Sequence, residues 1–265
     1  MRSGIRPLRR FSQNFLTDPI FARRLVEAAG FRPEDAVLEI GPGEGILTQC
    51  LLESPAGRVV AVEIDRRCAD FLRSRFAGEK RFRLIEEDFL KTELPEPDPP
   101  GGKWRVVGNI PYAITSPILF RLLDIRSSIS DFTLTVQKEV AQRVASPPGT
   151  KAYGIPSVLL KQHAEVRLLF TIPPGAFRPV PRVDSAVVHG RFLDQPKYTV
   201  DNEAFFRRIV KTAFGQRRKM LHNTLKPYLP GAAAPSGLEE FLKRRPESVS
   251  VEEWAMLANR LHEIR

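Results

Sequence analysis

The apolar positions of this chain recur with two different periods, and the change of period divides it. Short runs rich in β-branched residues occupy 36–40, 58–63, 82–85, 104–107 and 132–136, with helically spaced stretches between them. Strands alternating with helices at this spacing predict βαβ units, and hence a mostly parallel sheet covered on both faces. The expected fold class is a doubly wound α/β domain. Asp18-Pro19 reads as an N-cap followed by proline at the first helical position, so one helix precedes the sheet. Residues 95–102, rich in Pro and Gly, read as a surface loop. Two later runs, 166–172 and 185–192, flank a proline-rich loop and would finish the sheet as an antiparallel pair. From about Asn202 the period turns helical, with Phe206, Ile209, Val210, Ala213 and Phe214 on one face. The pattern predicts a basic arm over 1–17, an α/β domain over 18–200 and a small all-α domain over 201–265.

Composition sharpens this picture in two ways. Of 265 residues, 42% are hydrophobic and 27% charged, an ordinary globular mix that argues against a disordered chain. No apolar run approaches the roughly 18 residues a membrane span needs, and no apolar stretch follows the basic N-terminus, so a cytoplasmic protein is expected. Forty-one Lys and Arg against 31 Asp and Glu give a net charge of +10, for which a polyanion is the natural partner. The only two cysteines, Cys50 and Cys68, lie in helix-like segments without ligand partners, so neither a disulfide nor a metal site is expected.

The sharpest local signal is the run from Val37 to Thr48, a strand entering a glycine-rich turn and then a helix. Gly41, Gly43 and Gly45 are spaced G-x-G-x-G, and Ile46 stands where the dinucleotide fingerprint needs a small residue, which demotes a nicotinamide enzyme. Glu63, followed by Asp65, closes the next strand, where a carboxylate can accept ribose hydroxyls. Asp88 closes the third, where it can accept from an adenine amino group. Acids after successive strands describe an adenosine-shaped pocket. Glu39 and Glu44 flank the turn and would repel a pyrophosphate, so the cationic S-adenosylmethionine suits the site better.

The fourth strand ends in Asn109-Ile110-Pro111-Tyr112. The exocyclic nitrogen of adenine is a poor nucleophile because its lone pair is delocalised into the ring. The Asn109 side-chain oxygen and the Ile110 carbonyl, fixed by Pro111, can bind the amino hydrogens and favour a tetrahedral nitrogen, while Tyr112 can stack on the base. Here the sequence resembles the small-subunit (16S) rRNA adenine N6,N6-dimethyltransferase family over nearly its whole length. The blocks that carry the resemblance are 11–16 (FSQNFL), 39–48, 109–117, 137–143 (QKEVAQR), Tyr153-Gly154 and 177–185 (FRPVPRVDS). Ser12 stands where the family often has Gly, and Ala113 where it often has Asn.

The resemblance implies a Rossmann-like, S-adenosylmethionine-dependent methyltransferase fold and dimethylation of N6 on two adjacent adenines near the 3′ end of small-subunit rRNA, during ribosome biogenesis. It implies cofactor contacts at Gln13, Asn14, Leu16, Gly41, Glu63, Asp88 and Asn109, with Gly43 and Gly45 completing the turn, and a role for Phe177 over the far face of the target base. Two alternatives stay open: a methyltransferase of large-subunit rRNA, and a non-catalytic rRNA-binding assembly factor. Between 207 and 226, Arg207, Arg208, Lys211, Arg217, Arg218, Lys219 and Lys226 occur with no acid among them. With Arg2, Arg6, Arg9 and Arg10 they are expected to track phosphates of the rRNA or of an immature small subunit. A monomer without membrane association is expected.

Overall fold

A computed structural model of the chain describes residues 5–8, 13–98, 100–230 and 237–264. Arg2, Arg9, Arg10, Phe11 and Ser12 lie outside the described residues. The chain divides into two compact units: the residues up to Ala141 with Arg167–Phe192, and Gln142–Val166 with the residues from Leu193 onward.

The first unit is built on a seven-stranded sheet. In chain order its elements are β1 (Phe15–Leu16), α1 (Pro19–Ala29), β2 (Ala36–Ile40), α2 (Ile46–Glu53), β3 (Arg58–Glu63), α3 (Arg66–Arg75), β4 (Phe82–Glu86), β5 (Trp104–Asn109), α4 (Thr115–Asp124) and β6 (Ile129–Gln137). After α5 (Lys138–Ala145) and α6 (Ile155–His163) come β7 (Ala164–Ile172), β8 (Phe177–Arg178) and β9 (Ser185–Phe192). The sheet order is β4-β3-β2-β5-β6-β9-β7. Strands β4 to β6 run parallel, and β9 lies antiparallel to β6, with Thr135 opposite Val187. All five residues of β2 are buried, as a central strand covered on both faces requires. α1 starts as its sequence dictates: Asp18 accepts from the Ile20 N–H at 2.9 Å, Pro19 occupies the first turn, and Gly30 closes it in the left-handed region at φ 63°. Its buried stripe, Ala22, Leu25, Val26 and Ala29, joins Leu47, Leu51 and Val59 in one core.

A two-stranded ribbon stands apart from this sheet. β1 pairs antiparallel with β8, Phe15 opposite Arg178 and Leu16 opposite Phe177. Thr17 extends the link, donating from its N–H and its hydroxyl to the Ala176 carbonyl at 2.8 and 3.1 Å.

The second unit is helical: α6, α7 (Glu203–Gly215), α8 (Leu221–Thr224), α9 (Glu239–Leu242) and α10 (Val251–Glu263). α7 begins at the Asn202 cap, where the side chain accepts from the Phe205 N–H at 2.9 Å. α10 begins with a reciprocal capping box between Ser250 and Glu253. The division expected at 200/201 is too simple, because 142–166 packs with the helices. Tyr153 and Trp254 both meet Phe214, with ring centroids 6.1 and 5.9 Å apart. Buried His163 at the end of α6 faces Glu203 across 3.0 Å, and Gln162 bonds the Tyr198 carbonyl. The apolar run in α6 serves this helical core, and nothing in its local composition says which core it joins.

Candidate active site

The cleft lies outside the carboxyl ends of β2, β3, β4 and β5, where the sheet order reverses after β2. An open α/β sheet presents its ligand site at such a switch point. Its walls include Gln13, Asn14, Phe15, Ile40, Gly41, Gly43, Glu63, Asp88, Asn109 and Pro111, and it encloses about 960 Å³, counting its open mouth. Among the described residues no Lys or Arg lines it, whereas Glu63, Glu87 and Asp88 do.

The floor is the glycine turn. Gly41, Gly43 and Gly45 all have positive φ, 66°, 57° and 77°. Gly43 and Gly45 are also required sterically: a Cβ on the first would stand 2.8 Å from the Phe15 ring, and on the second 2.6 Å from Leu72. Gly45 thus shapes the turn from behind the cleft, leading into α2 at Ile46.

Glu63 is only 4% exposed, and each of its oxygens holds backbone. Oε2 accepts from the Gly43 N–H at 3.0 Å and Oε1 from the Asp65 N–H at 2.8 Å. Each oxygen retains a lone pair for a further donor. Burial pushes its pKa up, against these hydrogen bonds. Asp65 caps α3 and turns to Arg67 and to the Gln13 amide, and the Arg67 guanidinium holds its carboxyl below the ordinary range. Asp88 folds back, Oδ1 accepting from the Leu90 N–H at 3.0 Å. Beneath the turn, Glu39 is 1% exposed; Oε2 accepts from the Thr48 hydroxyl at 2.7 Å and Oε1 has no partner. Desolvation raises its pKa to about 8, so it is held as the neutral acid at pH 7.

Asn109 ends β5 with its amide orientation fixed. Nδ2 donates to the Asn14 carbonyl at 2.8 Å, and because a carbonyl can only accept, the amide nitrogen must face it and Oδ1 must face away. The Asn14 carbonyl, on the segment leading into β1, therefore sets the direction of the oxygen at the end of β5. Pro111 lines the cleft, while Ile110 is buried behind it with its N–H on the Thr135 carbonyl. The half-buried Tyr112 opens a short helical turn, its hydroxyl 2.5 Å from Ser185 Oγ.

Leu16, Ile110, Tyr112 and Phe177 are not brought to the walls of the main cleft. Leu16 lines a small hollow beside it with Gly41 and Asn109. Phe177, expected over the target base, is 2% exposed and packs in the core with Leu16, Phe170 and Ile172, where β8 is held by its pairing with β1. The sequence reading missed apolar walls, among them Ile64, 48% exposed between Glu63 and Asp65, and Ala113-Ile114 after Tyr112. Their signal was position, directly after a strand end that already carried a polar candidate.

In the helical unit the basic cluster is only partly available. Arg207 pairs with Glu203 one turn back at 2.9 Å, and Arg217 donates to the Thr150 carbonyl and faces Glu247 at 3.7 Å. Arg208, Lys211, Arg218, Lys219 and Lys226 are exposed. The expected lack of acids held along 207–226 but not in space, since Glu203 and Glu247 come from outside that stretch.

A family model described as "Ribosomal RNA adenine dimethylase" matches residues 6–263. The chain is 44% identical over 260 residues to the "Ribosomal RNA small subunit methyltransferase A" of Magnetococcus marinus, covering 97% of this chain and 92% of that protein. The protein of the same name from Geobacter metallireducens is 41% identical, with 96% and 95% covered. Among solved structures, the 23S rRNA methyltransferase ErmE superposes with a TM-score of 0.72 at 29% identity, covering 94% of this chain and all of that one. A dimethyladenosine transferase from Plasmodium falciparum shares the fold, with a TM-score of 0.75 at 24% identity, covering 94% and 98%.

Proposed function

The chain belongs to the ribosomal RNA adenine dimethylase family, and on that premise we propose that it dimethylates N6 of two adjacent adenines near the 3′ end of small-subunit rRNA, using S-adenosylmethionine. The observation that carries the reading is the Asn109 amide, whose oxygen is left facing away from Asn14 as an acceptor. The walls of the cleft, which bear carboxylates and, among the described residues, no Lys or Arg, fit a cationic adenosyl group and disfavour a pyrophosphate. When bound, that cofactor supplies an electrophilic methyl group.

Gln13, Asn14, Gly41, Gly43, Glu63, Asp88 and Asn109 would hold the cofactor directly, with Leu16 and Gly45 fixing the backbone around it. Asn109 Oδ1 and the Ile110 carbonyl, with Pro111 setting the chain direction, accept the two amino hydrogens of the target adenine in this reading and keep its lone pair out of the ring. Tyr112, tethered to Ser185, presents its ring to the base. Arg208, Lys211, Arg218, Lys219 and Lys226 bind rRNA phosphates. We propose a monomer working in the cytoplasm, where its rRNA substrate lies; among the described residues no helix is long and apolar enough to cross a membrane.

A large-subunit target is the second reading, supported by the ErmE likeness at 29%; relatives named for the small subunit reach 41–45% over nearly the whole chain. Undermethylated small and large subunits, each incubated with the protein and labelled cofactor and then mapped by nucleotide, separate the two. Label in adjacent dimethyladenosines of the small-subunit RNA supports the proposal. Label confined to the large subunit, or none, overturns it.

A further inference from the structure

Within the G-P-G-E-G turn of residues 41–45 the only polar side chain is Glu44, and arginines from two distant elements grip it. Arg178 of β8 donates from Nη2 to Glu44 Oε1 at 2.5 Å, and Arg75 at the end of α3 donates from Nη1 to the Glu44 carbonyl at 2.9 Å. The turn needs such pins. Glycine loses more conformational freedom on ordering than any other residue, so a segment with three glycines at positive φ has weak intrinsic preference for one shape. Glu63 fixes it from the cleft side through the Gly43 N–H, and Arg75 and Arg178 fix it from the outside.

Arg178 is placed for this contact at some cost to its own hydrogen bonding. Its Nε is buried with no partner, while Nη2 serves both Glu44 and the Ile5 carbonyl, the latter at 3.3 Å. A side chain settled only by its own solvation would not bury a charged donor unpaired. Its backbone is held in the ribbon, paired with Phe15 as the preceding Phe177 is paired with Leu16. We propose that Arg178 is a positioning residue of the cofactor site, holding the glycine turn through Glu44 in the shape that receives the cofactor. The proposal rests on the reading of this cleft as an S-adenosylmethionine site.

The test is calorimetric binding of S-adenosylmethionine to the full chain without RNA, followed by methylation kinetics on undermethylated small subunits. Arg178→Ala and Glu44→Ala should each weaken binding by about three- to tenfold, a range set by a charge-assisted bond discounted for partners 40% and 15% exposed. The loss in the double variant should fall well short of the sum of the single losses, because both single variants remove the shared Arg178–Glu44 contact. The cofactor KM should rise in step, with kcat at saturating cofactor changed less than twofold. Arg178→Glu should bind worst, and Arg178→Glu combined with Glu44→Arg should recover most of the affinity, a rescue that general destabilisation cannot mimic. Arg178→Lys, which keeps the charge without the fork, replaces alanine if that variant does not fold. Parental affinity in the single variants, additive losses, or a kcat loss at unchanged KM overturns the proposal. A parent that binds the cofactor but methylates no rRNA overturns only the rRNA reading. A parent that binds no cofactor overturns both.

Discussion

Replacing Glu39 by Gln should stabilise the protein at neutral pH, and the size of the effect follows from its burial. The carboxyl is 1% exposed and its pKa rises from 4.5 to about 8 in the fold. Below pH 4.5 both states carry the proton and the group contributes no pH dependence. Between 4.5 and about 8 the unfolded chain has released a proton that the native one retains, so stability falls as pH rises, by about 1.4 kcal/mol per pH unit. At pH 7 the accumulated loss is about 3 kcal/mol, approaching about 5 kcal/mol above pH 8. Glutamine keeps the acceptor for the Thr48 hydroxyl and puts its amide N–H groups, like the O–H of the neutral acid, where Oε1 has no partner, so the one existing bond is kept while the titration disappears. Urea unfolding of parent and Glu39→Gln, followed by circular dichroism from pH 4.5 to 8, should show curves that meet at the acid end and diverge steadily, with the variant more stable. Parallel pH profiles, or a variant less stable at pH 7, would mean that Glu39 is ionised in the fold and that burial does not govern it.

Three further outcomes are expected. Glu63→Ala should weaken cofactor binding by about 1–3 kcal/mol and also lower stability by a similar amount, since it strands the Gly43 and Asp65 N–H groups; calorimetry and unfolding that both match the parent would remove Glu63 from the site. Asn109→Ala should depress kcat far more than RNA affinity if, as proposed, the Oδ1 facing away from Asn14 acts on the amino group during transfer, and equal turnover at saturating substrates would rule that out. Arg218→Ala with Lys219→Ala should make the log K versus log salt slope for rRNA shallower by about 0.7–0.9 per residue, whereas Arg217→Ala, which loses the Thr150 and Glu247 contacts, should chiefly lower the stability of the helical unit. An unchanged slope in the double variant assigns those residues to a merely solvated face.

Most of the sheet was legible because strands buried on both faces leave near-continuous apolar runs: 36–40 and 58–63 coincide with the parallel β2 and β3 and 185–192 with the antiparallel β9, and the others differ only at their ends. The β1–β8 ribbon was not legible, since two residues per strand carry no period. Glu63 and Asp88 could be found from their strand ends, but the division of labour between Glu63 and Asp65 could not, because it depends on Arg67 and Gln13 reaching one carboxylate and the Gly43 N–H the other. The burial of Phe177 was not legible for a related reason. An aromatic in a motif block looks the same whether it faces a base or the core, and here pairing with β1 decides.

That ribbon also orders events in time. Ala176 and Thr17 are 159 residues apart in sequence, so during synthesis the chain segment bearing Gln13 and Asn14 waits, without its partner strand, until nearly the whole α/β unit has left the ribosome. The carbonyl that orients Asn109 belongs to that waiting segment. A nascent chain cut short before 177 can form β2 to β6 and their helices and still lack a placed cofactor wall, so competence to bind the methyl donor marks the completion of this unit rather than its nucleation.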